Sequence, residues 1–271
     1  MKTKKFILVT LILLTAVSKT FATAQVPDIL IYNGDTLSIF ANPLEQLPNI
    51  DTLRPKLFGS KEGCTTTACW RGYQAEWTII ENQLFLTGIY SCCHHKDKIQ
   101  ANLKQLFGNK LIDEKVQADW VTADLISPLG KELYYVHMGY ESLYEKEVLF
   151  QIVKGNLIRK HVFDNSKSRQ SIYSQDSEKL LKHIYSNINW EELPTQEKTV
   201  KVFIQFSANQ YGTIDSVTIL KGFNGVFDRE AVRVVKTIPE WDVYYRLGKH
   251  ERRAWYMPIV FSEENWSKYK K

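Results

Sequence analysis

The sequence predicts an α+β protein: a mainly antiparallel β domain over residues 25–163, then an α-β-β-α-β domain over residues 177–271 built on a three-stranded antiparallel sheet. Three observations carry this reading. Up to residue 163, short apolar runs with strand character are broken by turn pairs such as Asn33-Gly34 and Lys154-Gly155. Beyond residue 177, apolar residues recur at helical spacing, at Leu180, Leu181 and Ile184 and again at Phe227, Ala231, Val234, Val235 and Ile238. Between the two regions, residues 164–176 are polar and Ser-rich, with only Ile172 and Tyr173 to bury, and predict a linker.

Residues 1–24 have the form of an export signal. Lys2, Lys4 and Lys5 precede the apolar run Phe6 to Val17, and Ala22-Thr23-Ala24 supplies a small-x-small cleavage site. Twelve residues span only ~18 Å of helix against a ~30 Å hydrocarbon core, so the segment is expected to be cleaved before Gln25, and the mature protein to be periplasmic. Only if the segment stays uncleaved is a membrane a partner. Without residues 1–24 the balance of 35 basic to 30 acidic residues becomes 31 to 30. That near-neutral charge gives no reason to expect nucleic acid as a partner, since such a partner requires a concentrated basic face.

In the first domain, Ile29 to Tyr32 and Thr36 to Phe40 flank Asn33-Gly34-Asp35 as a hairpin. Pro43, Pro48, Pro55 and Gly59 then impose loops. A second hairpin runs Ala75 to Ile80 and Gln83 to Thr87, and Ile99 to Phe107 predicts a short helix ended by Gly108. Strands are expected over Trp120 to Ile126, Glu132 to Gly139, Glu147 to Val153 and Leu157 to Phe163, with Pro128 and Gly130 as breaks. Tyr134, Tyr135, Tyr140 and Tyr144 read as cross-strand packing aromatics.

Cys64, Cys69, Cys92 and Cys93 bracket the second hairpin. In an exported chain they predict two disulfides, whose connectivity spacing does not settle. The competing reading adds His94 and His95 to make a metal site, but adjacent residues on an extended strand point to opposite faces and converge poorly on one ion. No metal and no cofactor is therefore expected. No nucleophile elbow, phosphate loop or metalloprotease spacing is present either, so no catalytic residues and no enzymatic activity are expected.

In the second domain, Ser177 opens an amphipathic helix. Val200, Val202, Ile204 and Phe206 alternate with Lys201, Phe203 and Gln205, and Asn209 to Gly212 turn the chain into a strand from Ile214 to Leu220. Asp228 reads as the cap of the next helix, Pro239 stops it, and Ala254 to Phe261 is the third strand. Asp228 and Glu230 suit a helix N-terminus and are read as structural, not as an acid and base.

Taken in order, Val200 to Phe206, Gly212-Thr213-Ile214, Val217 to Gly222, Phe227 to Val235, Ile238-Pro239-Glu240-Trp241, Gly248-Lys249 and Pro258 to Phe261 resemble the C-terminal domain of TonB energy transducers over residues 177–261. The first domain resembles no family of known function. The resemblance implies a binding module that pairs with a short extended peptide of an outer-membrane receptor, or of another envelope protein, along a sheet edge. On this chain it points to Arg252, Arg253, Ala254, Trp255, Tyr256 and Met257, because Pro258 is tolerated best on an edge strand. The two arginines read first as a solvated, edge-protecting charge cluster, and alternatively as cations that steer an acidic partner. The chain departs from a complete transducer in having a cleavable signal and only eight prolines, too few for a long Pro-rich spacer. An exported envelope binding protein is therefore expected; the alternative is an atypical short transducer with an uncleaved anchor, supporting TonB-dependent transport.

Overall fold

A computed structural model describes residues 23–59, 65–92, 99–195 and 198–270. The chain is mixed α+β, with one large sheet and a separate three-stranded antiparallel sheet. It divides into two compact units. The first holds residues up to 127 together with 134–142 and 150–159; the second holds 128–133, 143–149 and 160–271. The expected boundary at 164–176 is therefore not where the units part.

In the first unit, β1 (Asp28–Tyr32) and β2 (Asp35–Ile39) form the expected hairpin, with Asn33 and Gly34 at φ 53° and 86°. Both values are what a tight two-residue turn demands. β3 (Tyr73–Ile80) and β4 (Gln83–Ser91) form the second hairpin, and Tyr73, Ala75, Trp77, Leu84, Leu86 and Ile89 line its buried face. β1 and β3 run parallel, whereas the strands within each of the two hairpins run antiparallel. Helix α1 (Ile50–Leu53) lies in the proline-punctuated segment between these hairpins.

Helix α2 (Leu103–Phe107) is shorter than the expected 99–107, because the Asn102 side chain caps it by accepting from Gln105 N. The residues before it bond to β4 instead, with Ser91 N donating to Ile99 O and Ala101 N to Ile89 O. After the small hairpin β5 (Leu111–Ile112) and β6 (Lys115–Gln117), β7 (Ala123–Tyr134) runs straight through Pro128 and Gly130, which were expected to end a strand. It stands last in the sheet order β2-β1-β3-β4-β9-β8-β7, and an edge strand tolerates a proline. β8 (Leu143–Val153) and β9 (Asn156–Asp164) meet at Lys154-Gly155. The division between the units falls inside β7, β8 and β9. Tyr140 stacks on Phe40 at 5.1 Å between ring centres, a packing role as expected.

The core of the first unit encloses a polar cluster. Asp28 accepts from Ala75 N at 3.1 Å, Trp77 Nε1 at 3.2 Å and Arg71 Nη2 at 3.3 Å. Arg71 also donates to Val26 O and the Tyr140 hydroxyl, while Tyr73 donates to Glu45. Cys69 and Cys92 form a disulfide across the open end of the β3–β4 hairpin, with their Cα atoms 6.3 Å apart. That separation lies within the usual disulfide range. Cys64, Cys93, His94 and His95, like residues 1–22 of the expected signal, lie outside the described residues.

In the second unit, residues 164–176 are tied down by hydrogen bonds despite their polarity. Asn165 donates to Glu147, Arg169 pairs its backbone with Val243, and the buried Asp242 accepts from Ser171 N at 2.6 Å and Ser174 Oγ at 2.5 Å. Helix α3 (Ile172–Gln175) leads into α4 (Ser177–Ser186), whose cap is Asp176 and not Ser177. The sheet order is β11-β10-β14, with β10 (Val200–Ala208) in the middle, β11 (Ile214–Lys221) on one side and β14 (Trp255–Phe261) on the other.

Val200, Val202, Ile204 and Phe206 face the core beneath α4 and α5 (Gly225–Val235), the alternation predicted from sequence. Gly212 turns β10 into β11 at φ +85°, where a Cβ would also meet Trp241 O at 3.0 Å. Asn224, not Asp228, caps α5; Asp228 instead accepts from Phe223 N. Glu230 holds the entry segment by accepting from Asn189 N at 2.7 Å. Two elements go beyond the expected α-β-β-α-β order. A hairpin of β12 (Tyr244–Arg246) and β13 (Lys249–Glu251) precedes β14, and helix α6 (Glu263–Tyr269) follows it.

Candidate peptide-docking edges

A three-stranded sheet has two outer strands, and each presents alternate N–H and C=O groups to whatever lies beside it. β10 lies between β14 and β11, so its groups alternate between the two neighbours. Pro258 stands opposite Phe203. Because proline has no N–H to give, position 258 belongs to the set of β14 residues whose polar groups face outward, with Tyr256 and Val260.

The outward set on β14 is largely occupied by the chain itself. The Val260 carbonyl accepts from Asn265 Nδ2 of α6 at 2.9 Å. The Val260 N–H bonds the Tyr185 hydroxyl of α4, whose pKa is raised by burial, with this bond and that of Asn265 opposing the rise. Pro258 offers only a carbonyl. An incoming strand on this side would find a full donor and acceptor pair at Tyr256 alone within the strand's last six residues.

The residues singled out from sequence are therefore divided. Arg252 is held by Asp215 in a paired contact of 2.6 and 2.9 Å, which lowers the Asp215 pKa. Arg253 donates to Glu251 at 3.1 Å and lies 4.4 Å above the Tyr244 ring. Trp255 packs edge-on against Trp241 at 5.6 Å, and Met257 packs on the core. Ala254 lies before the strand and is exposed, as is the Tyr256 side chain. Both arginines are held in intramolecular ion pairs, Arg252 with Asp215 and Arg253 with Glu251.

The opposite edge was not singled out. No strand lies beyond β11 among the described residues. Where β11 runs into α5, Ile219, Leu220, Phe223 and Val226 are 37%, 54%, 54% and 39% exposed. The sequence did hold a signal: apolar residues continue at 219, 220, 223 and 226, more than one buried face of a strand needs.

Elsewhere, the Asp28–Arg71 pair of the first unit lies with both side chains sealed from solvent. Among the described residues, no three His, Cys, Asp or Glu side chains converge as a metal site. Comparison with protein-family models, curated proteins and solved structures finds no match to this chain.

Proposed function

We propose that the chain is an exported envelope protein whose second unit docks an extended peptide of an outer-membrane receptor, or of another envelope protein, by strand addition. The observation that carries the reading is the sheet itself: both of its outer strands, β11 and β14, lack a further strand neighbour among the described residues. Backbone groups left without a ladder are the physical requirement for taking up another chain's strand. The ordered series of residues resembling TonB C-terminal domains supports the same reading, because those residues make up this sheet and the helix packed on it. The Cys69–Cys92 disulfide is compatible with an oxidising compartment outside the cytoplasm.

Two measurements test this. N-terminal sequencing of the protein from cells is expected to begin at Gln25; a start at Met1 would favour an anchored transducer. In-cell cross-linking followed by mass spectrometry is expected to capture an outer-membrane receptor. Recovery of none refutes the docking partner.

A further inference from the structure

We infer that the outer edge of β11, with the groove between β11 and α5, is the docking edge, and that its ligand is an acidic extended peptide of a partner protein. This rests on the docking reading and gives it an edge and a chemistry. The directions of the backbone groups follow from Pro258. With Phe203 opposite a proline, Phe203 and Gln205 direct their N–H and C=O groups toward β11, and Gln205 stands opposite Thr218. Thr218 therefore faces inward, its neighbour Val217 directs both polar groups to the open side, and so does the N–H of Ile219, beyond which the pairing with β10 slips register. No proline interrupts β11.

Beside this ladder lies a groove of about 370 Å³, lined by Ile219, Gly225, Val232 and the charged side chains Asp228, Arg229, Arg233 and Lys236. Its charges are unevenly spent. Asp228 accepts from Phe223 N, and Arg233 is held by Glu230. Arg229, Lys236 and the nearby Lys221 form no ion pair among the described residues and are exposed. The groove thus presents positive charge without a partner, next to the exposed apolar cluster of Ile219, Leu220, Phe223 and Val226.

A strand added here places every second side chain on the helix-covered face, which Ile219 shares with Ile204, and carboxylates at those positions meet the unpaired Arg229 and Lys236 of the groove. A second copy of this chain fits worse, because a two-fold pairing of β11 with itself would bring the same unpaired cations toward one another.

The test titrates the full chain with an end-blocked nine-residue peptide alternating glutamate and valine, and with the corresponding lysine–valine peptide. The glutamate peptide is expected to bind at least about tenfold more tightly, with affinity falling as salt rises. The amides of Val217 and Ile219 are expected to gain hydrogen-exchange protection. The double variant Arg229→Glu, Lys236→Glu should weaken binding by about tenfold or more.

Ile219→Pro, which removes an outward N–H, should do the same. If that variant loses its far-UV circular dichroism, the charge reversal decides alone. Tyr256→Pro, on the other edge, should leave binding unchanged. Loss of binding in Tyr256→Pro but not in Ile219→Pro would move the site to β14, overturning the β11 assignment while strand addition stands. Equal binding of the two peptides overturns the acidic chemistry. Protection of Val217 and Ile219 that rises with protein concentration, without peptide, identifies a second copy as the occupant and also overturns the proposal. Failure to capture any outer-membrane receptor by cross-linking bears on the partner alone and leaves these outcomes readable.

Discussion

Arg71 and Asp28 of the first unit meet at 3.3 Å with both side chains fully buried, whereas Arg252 and Asp215 of the second unit meet at 2.6 and 2.9 Å with a large part of each exposed. The shorter contact is the one expected to cost less when one member is removed. Exposed pairs exchange one set of water contacts for another and are screened by salt, while a buried pair cannot lose one member without leaving a charge in the interior. Distance therefore ranks these pairs wrongly and burial ranks them correctly. The buried pair holds a core together, while the surface pair of the second unit leaves much of its charge in contact with water.

Breaking the buried pair is expected to have the largest effect. Arg71→Met should destabilise the protein by about 3–5 kcal/mol, because Asp28 is left ionisable and unpaired. Arg71→Met combined with Asp28→Leu should recover much of that loss, since it removes the charge along with its partner. Urea midpoints of the single and double variants check this, and a double variant no better than the single would show that the hydrogen bonds of Asp28 to Ala75 and Trp77 matter more than its charge.

Next in size is the covalent link beside this core. Cys69 and Cys92 are 23 residues apart, and closing a loop of that length is worth about 3 kcal/mol in the chain-entropy account. Cys69→Ser should lower the urea midpoint accordingly, while non-reducing peptide mapping should recover the Cys69–Cys92 pair from the wild type.

Acidity probes the same buried carboxyl without a change of packing. Burial is the largest influence on Asp28 and outweighs the Arg71 guanidinium and the two N–H donors, raising its pKa from 3.8 to about 6. A carboxyl that holds its proton more tightly when folded favours the folded state at low pH. Its contribution is full below about pH 4 and is lost as pH rises through about 6, a change of up to about 3 kcal/mol. Wild-type unfolding free energy, measured against Asp28→Asn from pH 4 to 7, should show this downward component, absent from the variant. A flat difference between the two would mean that Arg71 holds Asp28 ionised throughout.

These contrasts also explain what could be read from the sequence. Asn33-Gly34 announced its hairpin because a tight turn needs residues that accept positive φ, and the alternation from Val200 to Phe206 announced its buried face because strand side chains alternate. Such signals are local. The bond between Arg71 and Asp28 spans 43 positions, and the contacts of Tyr185 and Asn265 with Val260 depend on two helices meeting one strand. No window of sequence contains them, so the β14 edge looked more open than it is. Pro128 misled for a related reason, because whether proline ends a strand depends on what lies beside it.

The smallest effect is expected at the surface pair. Arg252→Ala should cost no more than about 1 kcal/mol, and less in high salt. The Arg252 hydrogen bonds lower the Asp215 pKa, so the pair's small contribution is present above the usual carboxylate range and fades as pH falls through the lowered value. This is opposite in sign to the Asp28 component. If removing Arg252 leaves stability nearly unchanged, the residue is held to Asp215 without supporting the fold. It can then be exchanged in binding assays, where β11 docking predicts that Arg252→Ala has far less effect on an acidic peptide than Arg229→Glu with Lys236→Glu.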